Sequence, residues 1–233
     1  MEVILFDKPS TNEQLITTGF ITAEFRASAQ LLYQLAAESA DQVLAVGEVL
    51  IACLQSGHKV LIFGNGGSAA DAQHFAAELG GRYRLERRAL PALALTTDTS
   101  MLTAVSNDYG FAQVFARQVE ALAQPGDVAI GISTSGRSAN VIAGMQTART
   151  LGAITVALLG ANITGLAGLA DQVISVPSID TPRIQEAHTV IIHILCDLVE
   201  KSLMADHKGA DVQITFGNIA PLGDDTNRET VDD

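Results

Sequence analysis

Val60-Leu61-Ile62-Phe63 runs directly into Gly64-Asn65-Gly66-Gly67-Ser68, and the pattern returns where Val128-Ala129-Ile130-Gly131-Ile132 meets Ser133-Thr134-Ser135-Gly136-Arg137-Ser138. A short, continuously apolar run reads as a strand buried on both faces. Each loop of small and hydroxyl residues precedes a helical pattern. A strand, a Gly/Ser loop and a helix in succession aim unpaired backbone N–H groups and hydroxyls at one point, which suits a phosphate oxyanion. Two such loops on one sheet predict a phosphorylated small molecule held at the strand ends.

The alternation extends outward from these two units. Candidate strands are Val60–Phe63, Ala92–Leu95, Val128–Ile132, Thr155–Leu159 and Val173–Val176, with helical patterns over Ser68–Leu79, Phe111–Leu122 and Ala139–Leu151. Strands without internal alternation, separated by helices, predict an α/β fold: a five-stranded parallel sheet, flavodoxin-like, with helices on both faces. Ligands of that architecture bind at the carboxyl ends of the strands, where both loops fall.

Before the first strand, Ile16, Phe20, Ala27, Leu31 and Leu35 mark one helix, and Val43, Val46, Leu50 and Cys53 mark a second that Gly57 stops. Ser39 and Gln42 between them have the spacing of a capping box. Two helices exceed what one sheet needs for cover, so they either pack against another subunit as oligomerisation helices or cover one sheet face of a monomer. A closing helix is expected from Pro182 to Met204, with Pro182 suited to the first turn. The chain thus divides into an N-terminal helical segment (1–36), a main domain (37–206) and an acidic tail (207–233) expected to be mobile.

Of 233 residues, 48% are hydrophobic and 17% charged, which demands a large core and excludes wholesale disorder. The formal charge of −12 repels phosphodiester backbones, so no direct nucleic-acid partner is expected. Arg82, Arg84, Arg87 and Arg88 around Glu86 read as a solvated connector or a local basic patch. Cys53 and Cys196 both sit in apolar helical patterns and read as reduced core thiols of a cytoplasmic protein. Neither a secretory leader nor a membrane span is expected.

Several side chains could carry chemistry. His74 and Glu78 share one face of the helix that opens at the first loop. Gln185, His188 and His193 lie on the closing helix, and eight residues separate Gln185 from His193, about 80° around the axis. His193 stands among Val190, Ile191, Ile192, Ile194 and Leu195, where an imidazole needs a hydrogen-bond partner. Asn107-Asp108 either accept substrate hydroxyls or shape a turn before Gly110. No G-x-x-x-x-G-K-[ST] or G-x-S-x-G occurs. Gly64 to Ala69 fits the loose dinucleotide pattern, but Asp98 follows Gly64 by 98 − 64 = 34 positions instead of about 20.

At these residues the chain resembles the sugar isomerase (SIS) domain and, more narrowly, the phosphoheptose isomerases. The matching blocks are GNGGSAADAQHFAAEL (64–79), SNDYGF (106–111), GISTSGRSANVI (131–142) and TPRIQEAHTVIIHILCDLVE (181–200). The resemblance implies an aldose–ketose isomerase interconverting sedoheptulose 7-phosphate and D-glycero-D-manno-heptose 7-phosphate for bacterial surface polysaccharide. It implies a homotetramer with active sites at subunit interfaces. One zinc ion per subunit would sit on His74, Glu78, Gln185 and His193. Glu78 would be the base and His193 the acid. Substrate contacts would fall on Asn65, Gly66, Gly67, Ser68, Glu78, Asn107, Asp108, Ser133, Thr134, Ser135, Ser138 and Gln185. Arg137 stands where that family often carries Asn. The alternatives are a non-catalytic SIS-domain adaptor associating with the bacterial replication initiator, or a phosphosugar sensor. Glu78, which the adaptor branch lacks, favours the enzyme.

Overall fold

The computed structural model describes residues 17–208. Ile16 of the first apolar stripe and the acidic stretch from 209 onward lie outside the described residues. Two helices lead: α1 (Thr18–Glu38) and α2 (Ala40–Gln55). Then follow β1 (Val60–Gly64), α3 (Gly67–Gly80), β2 (Ala92–Ala94), α4 (Thr99–Tyr109), α5 (Val114–Leu122), β3 (Val128–Ser133) and α6 (Ala139–Thr150). The domain closes with β4 (Ile154–Leu159), β5 (Gln172–Ser175) and α7 (Thr181–Lys208). All strand pairs are parallel, in the order β2-β1-β3-β4-β5. The expected five-stranded, flavodoxin-like α/β sheet is present.

The alternating side chains of each strand divide the core in two. Val60, Ile62, Ile130 and Leu158 point to the face covered by α1, α2, α3 and α7. Leu61, Phe63, Ala129 and Leu159 point to the face covered by α4, α5 and α6. Burial on both faces is why β1 and β3 read as unbroken apolar runs. Among the described residues no helix is long and apolar enough to cross a membrane.

Several local expectations change. Ser39 forms no capping box: it ends α1, its N–H bonded to the Leu35 carbonyl at 2.9 Å, and makes no side-chain bond to α2. A residue shared by two abutting helices has its N–H committed to the first, so Gln42 cannot reach back to it, while its carbonyl accepts the Val43 N–H of α2 at 3.0 Å. Asp98 is the N-cap of α4, accepting from the Met101 N–H at 3.0 Å, which accounts for it without a ribose. Asn107 and Asp108 belong to the last turn of α4, and the turn comes after them, at Gly110 with φ 85°. Helix α7 runs on to Lys208, past the boundary expected at Met204 and into the stretch assigned to the tail.

The arginine cluster divides. Arg82, Arg84 and Arg88 are exposed, as a solvated connector requires. The Arg87 side chain is only 3% exposed and faces the fully buried Glu200 of α7, with Nε 3.0 Å from Oε1, a charge contact rather than an aligned hydrogen bond. Glu200 also accepts the N–H groups of Tyr83, Arg84 and Leu85 at 2.8, 2.8 and 2.9 Å. Burial alone would raise its pKa, but three backbone donors and the guanidinium outweigh it and hold the carboxyl below its ordinary value of 4.5. Because the folded pKa lies below the unfolded one, this stabilisation is complete above the unfolded value and is lost as pH falls through the folded one. Glu200→Ala strands a buried arginine and is expected to cost about 3–5 kcal/mol. Urea titrations at pH 7 should record that loss, with the gap between wild type and variant narrowing as the buffer is taken below pH 4.5.

Candidate active site

The chain leaves β1 toward β2 on one side and crosses to β3 on the other, so the sheet's switch point lies between β1 and β3. Helices following those two strands cover opposite faces, which opens a crevice at the strand ends. Gly64 pairs with Ile132, so the two Gly/Ser loops emerge side by side. They are joined by reciprocal amide bonds: Asn65 Nδ2 donates to Asn140 Oδ1 at 2.9 Å, and Asn140 Nδ2 donates to Asn65 Oδ1 at 2.8 Å.

Glycine at this junction has a steric cause. A Cβ on Gly64 would stand 2.8 Å from the Ile132 carbonyl oxygen and 2.9 Å from that of Ser68. Gly66 caps α3 with φ 56° and ψ −121°, a conformation only glycine takes comfortably. Neither α3 nor α6 has a bond from its N-cap side chain; nearby acceptors take the Ser68, Ala69, Ala70 and Val141 N–H groups, which leaves those of Gly67, Ala139 and Asn140 open to an anion among the described residues. At the α6 terminus the Ser133 and Ser138 hydroxyls lie 3.1 Å apart. Ser135 Oγ accepts the Arg137 N–H at 3.3 Å, and the Arg137 side chain is exposed. Ser68 is buried in the first turn of α3, and Thr134 is half-buried.

Helices α3 and α7 both start at the carboxyl edge of the sheet and run parallel, and one stripe of each faces the other. Gly67 meets Gln185, Asp71 accepts from the Thr189 hydroxyl at 3.2 Å, and His74 meets His193. The two Nε2 atoms are 2.8 Å apart, a distance at which one ring donates and the other accepts, so the pair shares a single proton. Glu78 Oε1 lies 3.9 Å from His74 Nε2. His74, Glu78 and His193 are thus brought together. The Gln185 amide packs against Gly67, about 12 Å along α7 from His193. Asn107 and Asp108 are exposed, and Asn107 Nδ2 donates to Asp108 Oδ1 at 2.8 Å.

Three other polar groups line these helices. His188 is fully buried, its Nε2 3.2 Å from the Leu159 carbonyl, and burial pushes its pKa down to about 4, so it stays neutral. Cys196 is pushed up to about 12, first by burial and then by the charge of Glu78, and remains a thiol. Asp71 is raised by burial against the opposing pull of Thr189 and His74. Its second oxygen has no partner among the described residues. Asp71, Asn140 and Glu200 were not singled out from the sequence. The only signal for Asp71 was its place on the 67–71–74–78 face of one helix.

Whether a divalent ion suits these residues turns on the shared proton. Two imidazole nitrogens aimed at one point with a carboxylate behind them form an N/O donor set that suits zinc, and a cation can take the place of the proton. The 2.8 Å separation is shorter than the roughly 3.3 Å that two nitrogens keep around a tetrahedral ion. Among the described residues no group of three or more His, Cys, Asp or Glu is already arranged as a metal centre. The chemistry fits, and the pair must part slightly to admit an ion.

Gly67→Ala tests the Gln185 placement. The added methyl would overlap the Gln185 amide, the movable end of a flexible side chain. The melting temperature should therefore hold within about 3 °C while affinity for a sugar phosphate falls about tenfold, readable by calorimetric titration.

Residues 25–160 match the SIS domain family model. A phosphoheptose isomerase of Geobacter sulfurreducens is 57% identical over 183 residues, 78% of this chain and 97% of that protein. The phosphoheptose isomerase of Aquifex aeolicus is 56% identical over 76% of this chain and 93% of its own. The solved phosphoheptose isomerase GmhA of Neisseria gonorrhoeae superposes with a TM-score of 0.74 at 43% identity, covering 78% of this chain and 97% of that one. With the switch-point crevice, the paired loops and this similarity over most of its length, the chain belongs to the SIS-domain family and, within it, to the phosphoheptose isomerases.

Proposed function

We propose that this protein interconverts sedoheptulose 7-phosphate and D-glycero-D-manno-heptose 7-phosphate by an enediol-type proton transfer, supplying bacterial heptose biosynthesis. The observation that carries the reading is the alignment of one helix with both ends of the substrate. Helix α3 begins at the first loop and presents His74 about two turns and Glu78 about three turns on, with Ser68 and His74 about 9 Å apart along the axis. An extended seven-carbon phosphate ester can bridge that distance.

The N–H groups of Gly67, Ala139 and Asn140, with the Ser133 and Ser138 hydroxyls, hold the phosphate. Its binding energy positions the reacting end. Moving a carbonyl between C1 and C2 requires a proton to leave one carbon and reach its neighbour. The Glu78 carboxylate is the base for that transfer. His193 is the acid, and in the metal-free protein its Nε2 meets His74 Nε2 at 2.8 Å. Asn65 and Gly66 to Ser68 bind at the first loop, Ser133 to Ser135 and Ser138 at the second, and Asn107, Asp108 and Gln185 complete the substrate contacts. In this reading zinc would be held by His74, Glu78 and His193, while the Gln185 amide, seated at Gly67 about 12 Å along α7 from His193, stands too far along the helix to join them within the subunit. When bound, the ion supplies polarisation of the substrate carbonyl.

A homotetramer belongs to the same reading. Phe20, Ile21 and Phe25 of α1 are 50–74% exposed, and Leu44, Val190 and Ile194 line an apolar groove between α1, α2 and α7. Residence in the cytoplasm is supported by two free, buried cysteines.

Glu78→Gln is expected to lower kcat for sedoheptulose 7-phosphate by about 10³-fold with the thermal melt unchanged. Near-normal turnover would remove Glu78 from the mechanism. Treating wild type with a chelator should abolish turnover, and added zinc should restore it. Sugar-phosphate binding without any turnover would favour a sensor.

A further inference from the structure

We propose that Tyr83 is the positioning residue for His193, its ring holding the imidazole in the plane from which it meets His74. The proposal rests on reading this site as that of an isomerase. The Tyr83 and His193 rings are stacked, centroids 5.5 Å apart and planes 26° from parallel. The same imidazole meets His74 nearly edge-on, with centroids 5.0 Å apart and planes at 70°. One face and one edge of His193 are therefore occupied by different aromatic neighbours.

A working histidine is usually oriented by a hydrogen bond at its second ring nitrogen. Among the described residues His193 Nδ1 has no such partner. Beside the single Nε2 contact with His74, the stack with Tyr83 is what restrains rotation of the ring. The tyrosine hydroxyl forms no hydrogen bond among the described residues, which assigns the role to the ring.

Tyr83 can do this because its loop is clamped. Residues 81–91 form no regular element, and such a segment would ordinarily be loose. Here three consecutive N–H groups, those of Tyr83, Arg84 and Leu85, donate to the buried Glu200 carboxylate. Arg87 ties the same loop to the end of α3, donating to the Glu78 and Leu79 carbonyls at 2.7 and 2.8 Å. Glu200 lies seven residues, about two turns, beyond His193 on α7. One helix thus carries both the imidazole and the anchor of the ring that covers it. The Arg84 guanidinium, 4.9 Å from the Tyr83 centroid, adds a cation–π contact to the tyrosine.

The test compares Tyr83→Phe and Tyr83→Leu, which keep an apolar side chain at this half-buried position and differ in the ring. Turnover of sedoheptulose 7-phosphate is measured together with the His193 ring-proton shifts of histidine-labelled, metal-free protein, below the melting temperature of the less stable variant. Tyr83→Phe is expected to keep kcat within about twofold and to leave the His193 signals in place. Tyr83→Leu is expected to lower kcat about 10- to 100-fold with KM changed less than about threefold. It should also move the His193 signals as the ring current is lost. Wild-type kcat or unmoved His193 signals in Tyr83→Leu would overturn the proposal. Equal impairment in Tyr83→Phe would overturn it too, by assigning the effect to the hydroxyl. If wild type converts no sedoheptulose 7-phosphate, the isomerase reading fails, and the His193 signals still decide whether Tyr83 sets the ring.

Discussion

The parallel pairing of β1 with β3 is the constraint on which the site depends. That register sets Gly64 opposite Ile132 and makes two loops distant in sequence leave the sheet together. The contact tolerates no side chain, because the Ile132 carbonyl and the Ser68 backbone crowd the position where a Cβ would stand. The Asn65–Asn140 amide pair then locks the loops. Each amide satisfies the other, and the Gly67, Ala139 and Asn140 N–H groups beside them are left without a partner among the described residues.

The second half of the site depends on helix direction. Because β1 and β5 are parallel, α3 and α7 start at the same edge and run side by side. Positions 67, 71 and 74 consequently meet 185, 189 and 193 in step. The buried charge of Glu200 continues this register one level deeper, where its cost is offset by three backbone donors and a guanidinium. An irregular loop thereby gains the rigidity of the helices it touches, and Tyr83 comes to rest on the imidazole.

Much of this was legible in the amino-acid order. Val60–Phe63 and Val128–Ile132 announce strands buried on both faces because apolar side chains occupy every position. His74 and Glu78 announce a shared face because a helix repeats every 3.6 residues. Other features were not legible. Ser39 carries the residue pattern of a capping box, yet its N–H is already committed to α1. Arg87 looks no different from Arg82 or Arg88, and only the approach of α7 makes it a buried counter-ion.

Local chemistry and periodicity determined the α/β class, the strand positions, the two anion loops and the helix faces that carry His74, Glu78 and His193. Each follows from neighbours within a turn or a strand. Tertiary structure alone decided that His74 and His193 share a proton, that Gln185 sits at Gly67, and that Glu200 grips the loop bearing Tyr83. Those contacts join residues more than 100 positions apart. Their geometry is set by sheet order and helix direction, which no local spacing encodes.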